Sequence, residues 1–273
     1  MIIDSHTHIG SIACFHLSEH TLIDSMRRYG IDFAIVSNLE GIEYISPHEK
    51  IERQVPQMDL NRKALVFVRA HADILRMLFW IKPNTEGMTE EARSFISANR
   101  EHIAGLKIHP FHSRLHISDE RYLPYLDAAR EMRLPIEVHT SFDEYSRPSA
   151  LHDIAARYPE IDFIMVHMGL GTDNCESIDL IRSLPNLYGD TTWVSPDSAI
   201  RAVRECGSRK ILFGTDSPID GSGTYERYAA LLRTIRDQLT AGEAHDVLCG
   251  NALRIFFNGM APASNGDEAG AHE

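Results

Sequence analysis

Eight short apolar runs, most of them rich in β-branched residues, alternate along this chain with longer segments of helical period: residues 2–6, 32–38, 75–83, 103–110, 135–140, 162–168, 187–193 and 211–218. That alternation predicts βα units on a parallel sheet, because parallel neighbours need a long crossover and a helix usually supplies it. The stretch LVFVRAH at 65–71 also has a strand-like composition. As a strand it would follow a segment without a clear crossover helix and nearly abut the run at 75–83. Residues 58–72 are therefore read as a helix with Leu60, Ala64, Leu65, Phe67 and Val68 facing the sheet.

Polar residues at the expected helix starts support the same order. Ser18 precedes a helix over 19–29, Thr89 a run to Arg100, and Ser118 with Asp119 a run over 120–132. Pro148-Ser149 starts a helix over 150–158, Asp197 or Ser198 is expected to cap the next, and Thr224 precedes a long one ending near Leu239. Two shorter helices are expected around 176–183 and 243–257.

Eight such units in 273 residues, 43% of them hydrophobic, predict an α/β fold built as a single (β/α)8 TIM barrel over residues 1–260. An open doubly wound sheet would usually carry a glycine-rich phosphate loop after its first strand, and His8-Ile9-Gly10-Ser11 is no such loop. Residues 261–273, composed mainly of small, polar and acidic residues, are expected to be a disordered tail. The formal charge of −12 argues against a nucleic-acid footprint and suits a small-molecule substrate. No apolar run approaches the roughly 20 residues of a membrane span. With no signal peptide before the first strand, and Cys14, Cys175, Cys206 and Cys249 scattered and expected as buried thiols, a cytoplasmic location is the expectation.

In a barrel of this kind the active site lies at the C-terminal ends of the strands. Those ends carry His6 and His8 on the first strand, Lys107 and His109 on the fourth, His139 on the fifth, His167 on the sixth and Asp216 on the eighth. Residues two apart on a strand share a face about 6.6 Å apart, so His6 and His8 can grip one metal ion. The spacing alone is weak evidence in a chain with 15 histidines. Its place at a strand end, matched by imidazole or carboxylate at other strand ends, is what points to a metal site.

The motifs HTH, GLKIHP, EVHT, MVHMG and FGTDSP, in this order over residues 2 to about 257, resemble the amidohydrolase superfamily, in particular its amidohydrolase-2 branch. That branch includes aminocarboxymuconate-semialdehyde decarboxylase and metal-dependent TIM-barrel hydrolases. The resemblance implies that His6, His8, His139 and Asp216 hold a divalent metal, zinc first, with manganese, iron or cobalt as alternatives. It implies that His167 orients substrate or shuttles a proton, and that Asp216 both ligates and accepts a proton from water. Lys107 has two readings. In some branches the lysine is carbamylated and bridges two metals; in the branch resembled here it accompanies one metal as an ammonium, which is the preferred reading. A homodimer is one option among relatives.

Substrate contacts are expected from His109, Arg114, Lys82, Trp80, Arg147 and Trp193, with Tyr145 near them, and their cations suggest an acidic substrate. Several read equally well as solvated loop charges. His112 and His116 are further candidates, whereas His71 is expected to be structural at a helix end. His16, His20, His48, His102, His152, His245 and His272 are assigned to surface or core. The expected activity is a metal-dependent hydrolase that uses metal-activated water on an amide, lactone or ester; the alternative is a non-oxidative decarboxylase of a small carboxylic acid. Loops 9–17, 39–57, 111–118, 141–148, 169–176 and 218–224 are expected to choose the substrate.

Overall fold

Strands covered on both faces must be apolar throughout rather than alternating, and the central runs of this chain meet that demand. Every residue of β3 (Phe33–Asn38), β7 (Ile103–Ile108) and β8 (Ile136–Ser141) is buried. A computed structural model describes residues 1–46 and 48–257. The tail expected at 261–273, with His272, lies outside the described residues.

The remaining strands are β1 (Ile3–Ile12), β2 (Phe15–Leu17), β4 (Tyr44–Ser46), β5 (Glu49–Lys50), β6 (Leu75–Trp80), β9 (Phe163–Leu170), β10 (Leu187–Asp190) and β11 (Ile211–Leu212). One nine-stranded sheet has the order β11-β10-β9-β8-β7-β6-β3-β1-β2, and β4 and β5 form a separate hairpin. All its pairings are parallel except that of β1 with β2. The sheet curls: Ser5 N donates to Phe213 O (2.8 Å), Asp216 N to His6 O (2.9 Å) and His8 N to Ser217 O (2.9 Å). The result is a TIM-barrel-like α/β architecture.

Helices cover the outer face. Gln57–Ala70 is a helix that buries Leu60, Ala64, Leu65, Phe67 and Val68, as its spacing predicts. Ser18 caps Glu19–Tyr29, Thr89 caps Glu90–Ala98, and the Asp119 side chain caps the turn Glu120–Tyr122 that leads into Leu123–Met132. The lower end of the sheet is sealed by the helix Asn251–Phe256 and by Phe257, which pack with Ile3, Phe33, Leu78, Ile164, Tyr188 and Leu212.

Several expectations need correction. The helix after β10 is Pro196–Cys206, capped by Ser195 rather than by Asp197 or Ser198; Pro196 presets the first helical turn and the Ser195 side chain accepts from Ser198 N. The first strand does not stop at residue 6 but runs to Ile12 and turns back as β2, so 9–17 is a hairpin rather than a loop. The last strand is only Ile211–Leu212. The long helix expected after Thr224 is broken into Thr224–Arg227 and Ala229–Gln238. Cys14 and Cys175 are exposed and Cys206 is half-buried, leaving Cys249 as the buried thiol. Among the described residues no helix is long and apolar enough to cross a membrane.

Candidate metal centre

β1 carries His6 and His8 into the mouth of the curled sheet, and the turn after β11 brings Asp216 against them. His6 Nε2 lies 3.0 Å from His8 Nε2 and 2.8 Å from Asp216 Oδ1, which is 3.2 Å from His8 Nε2. The outer ring nitrogens have partners. His6 Nδ1 is 3.1 Å from Glu137 Oε2, and His8 Nδ1 is 2.9 Å from Ser37 Oγ. Burial lowers the proton affinity of both rings below the ordinary imidazole range, so the contact with Glu137 is a hydrogen bond donated by a neutral ring. These partners assign the proton to Nδ1 of His6 and turn its Nε2 lone pair inward.

Three buried acceptor atoms thus face one another, all within 4.8 Å. Donors held about 2.1 Å from a zinc ion sit about 3.4 Å apart in a tetrahedral arrangement. The spacing and the N,N,O donor set therefore fit a divalent transition metal.

Behind the ligands lie buried acids that the sequence reading did not single out. Glu137 Oε2 is 3.7 Å from Lys107 Nζ, while its Oε1 has no partner among the described residues. Lys107 Nζ lies 3.3 Å from both ring nitrogens of His6. Burial pushes Lys107 down and Glu137 up, each opposed by the charge of the other. Asp190 Oδ1 accepts from the backbone N–H of His167 (2.8 Å), and its Oδ2 is 3.6 Å from His6 Nδ1. Asp4 is pushed up to about 7 by burial, against the bonds it accepts from Thr215 Oγ1 and His6 N. A signal existed: Asp4 and Glu137 each stand two residues before a histidine of the site, the period of a strand face.

The pocket above the three donors encloses about 210 Å³. Lys107, His109, His112, His139 and His167 line it, and Phe15, Leu39, Leu170, Trp193 and Ile219 form an apolar collar. His139 lies outside the three-donor group; its ring stacks on His109 at 3.8 Å between centroids and meets His167 edge-on at 4.8 Å. The His167 Nδ1–H donates to Thr192 O (3.3 Å), Nε2 has no hydrogen-bond partner among the described residues, and burial keeps this ring neutral against the pull of Asp216. His112 donates to Tyr44 O (2.6 Å), and burial pushes it down to about 4. His167, Trp193 and Asp216 all have positive φ (68°, 59° and 65°), a strained conformation that collects at functional sites.

The residues expected to touch substrate separate into two groups. His109 and Trp193 line the pocket. Trp80 is instead buried behind it, parallel to His109 at 5.8 Å. Lys82 is turned away: its Nζ donates to Val55 O (2.6 Å) and pairs with Glu86 at 3.5 Å across the turn that follows β6. Arg114 is half-buried between the rings of Tyr44 and Tyr145 and donates to the Tyr145 hydroxyl (2.8 Å). Arg147 is exposed at the start of the helix Pro148–Arg157. His116 is exposed beside Tyr145, and His71 ends the helix Gln57–Ala70 as expected.

A family model described as Amidohydrolase matches residues 3–257. No curated protein matches the chain. Solved structures share the fold at low identity. A dihydroxybenzoic acid decarboxylase from Polaromonas sp. JS666, with bound manganese and the inhibitor 2-nitroresorcinol, has a TM-score of 0.69 at 14% identity, over 95% of this chain and 98% of its own. An amidohydrolase from Burkholderia multivorans with bound zinc has a TM-score of 0.72 at 14% identity, over 94% and 99%. A protein described as a probable 2-pyrone-4,6-dicarboxylic acid hydrolase from Acinetobacter baumannii, with citric acid bound, has a TM-score of 0.63 at 14% identity, over 94% and 99%.

Proposed function

We propose, for a chain that belongs to the amidohydrolase family, that it is a metal-dependent hydrolase acting on an amide, lactone or ester of a small acidic molecule. The convergence of His6 Nε2, His8 Nε2 and Asp216 Oδ1 carries this reading, since three buried acceptors at such distances fit a shared cation. His139, lining the same pocket, is the fourth protein donor of the proposal. We read the curled sheet as a closed (β/α)8 barrel, supported by the bonds between β1 and residues 213–217.

One divalent ion, zinc before manganese, supplies Lewis acidity when bound: it polarises a substrate oxygen and lowers the pKa of water. The chain supplies the rest. His167, neutral and with no hydrogen-bond partner for Nε2 among the described residues, is placed to take a proton from the attacking water and return it to the leaving group. The apolar collar excludes bulk water from that exchange, and 210 Å³ suits a substrate of about one ring. Lys107 remains an ammonium in this reading, because a carbamate there would stand among Glu137, Asp190 and Asp216. One ion per chain follows.

The second reading, non-oxidative decarboxylation, is favoured by Lys107 at the pocket floor, a cation able to receive a carboxylate, and it is the activity named for the Polaromonas neighbour. A screen of lactones, amides, esters and aromatic acids in ¹⁸O-labelled water separates the two. Label in the organic product supports hydrolysis; carbon dioxide evolved with no label in the organic product would replace it with decarboxylation; turnover by the metal-depleted protein would overturn both.

A further inference from the structure

We propose that Trp193 is the positioning residue for Asp216, and that Arg227 and Tyr228 hold its indole in place; the inference rests on the metal reading of His6, His8 and Asp216. The two carboxylate oxygens of Asp216 have different neighbours. Oδ1 faces the Nε2 atoms of His6 (2.8 Å) and His8 (3.2 Å), whereas Oδ2 accepts the indole Nε1–H of Trp193 at 2.5 Å. An indole can only donate, so this bond has one sense and fixes the rotation of the carboxylate. It leaves Oδ1 as the oxygen presented to the cation.

The indole is itself restrained. The Trp193 backbone N–H donates to the Tyr228 hydroxyl (3.0 Å), which donates to Thr215 O (2.9 Å), the residue before Asp216. The segments carrying the indole and the carboxylate are thus tied twice, through main chain and side chain. Both residues are held at positive φ, which a bulky residue keeps only when its surroundings demand it. The Arg227 guanidinium lies 4.0 Å over the indole and donates to Asp220 (2.6 Å). A cation over the ring draws electron density from it, strengthening the N–H as a donor. A large aromatic side chain left 37% exposed at a pocket rim is otherwise a poor use of apolar surface.

A wall residue and a positioning residue differ in what their loss changes. Trp193→Phe keeps an aromatic side chain and removes the donor. Metal-depleted wild type and variant are titrated with zinc, and separately with manganese, against a chromogenic chelator, with the melting temperature of each apo protein as control. The variant should bind both ions about tenfold or more weaker at an unchanged apo melting temperature, in the range known for partners that orient metal ligands. Affinity within twofold of wild type would overturn the proposal. Should the variant fail to fold, the wild-type indole ¹H–¹⁵N resonances decide. The chain has two tryptophans, so Trp80→Phe assigns them. The Trp193 resonance should lie downfield and move on zinc addition; a resonance unmoved at saturating zinc overturns the proposal while leaving the metal centre intact. Wild type that takes up no ion overturns the metal reading, and this inference with it.

Discussion

At its lower end β1 joins Ile3 to the cluster of Phe256 and Phe257, and three residues further on it places His6 among four titratable groups. β9 repeats the contrast with Ile164 below and His167 above, and β10 with Tyr188 below and Asp190 above. Below, the side chains are almost all apolar, and the Tyr188 hydroxyl finds its partner in Arg254 at the edge. Above, three residues at consecutive strand tops sit at positive φ, and buried acids are held beside a buried lysine. The two ends divide the energetics: the lower plug stabilises the fold, and the upper cluster consumes part of that stability to hold polar groups in place.

The largest effect is expected above. His6→Ala or His8→Ala should weaken metal binding by more than about 100-fold, beyond the loss known for residues that merely orient ligands, with turnover falling in step. Equilibrium dialysis against zinc measures this, and retained affinity would break the division between the two ends.

Below, Phe256→Ala should cost about 3–5 kcal/mol of stability in chemical denaturation, because a nearly buried ring is replaced by a cavity. Metal content should be unchanged in the protein that remains folded. A loss of metal affinity without a loss of stability would show that the plug reaches the site.

His112 sharpens the comparison through pH. Its folded-state value of about 4 lies below the unfolded 6.5, so the unfolded chain binds its proton first as the solution is acidified. The stability this neutral ring contributes is present above pH 6.5 and is lost as pH falls toward 4, by about 3 kcal/mol over that interval. Across that range the urea midpoint of wild type should fall relative to that of His112→Phe, and parallel curves would count against it. The smallest effect is expected for Glu137→Gln, which keeps an acceptor for His6 Nδ1 but exchanges the carboxyl for an amide: about tenfold in metal affinity.

Much of the lower end and the framework was legible in the sequence. The β-branched runs marked the parallel strands, and helix periodicity at 57–70 overrode the strand-like LVFVRAH because a crossover was needed there. His6, His8 and Asp216 were legible from their places at strand ends, and they converge as expected. The supporting acids are harder to read, because Asp4 and Glu137 sit one step deeper than the strand tops on the same faces. Lys82 and Trp80 were misplaced for a physical reason: strand position alone does not say whether a side chain turns into the mouth, and Glu86 and His109 give these two better partners. The β1–β2 hairpin was hidden because Ala13-Cys14 carries no glycine at the turn, and Ala13 adopts the positive φ instead.

The most direct test of the centre is metal content per chain after saturation with zinc and removal of free ion, measured by inductively coupled plasma mass spectrometry on wild type and Asp216→Ala. One ion per wild-type chain, with loss of the ion in the variant, is the expected result. No ion in wild type, two per chain, or equal content in both proteins would contradict a single centre built by His6, His8 and Asp216.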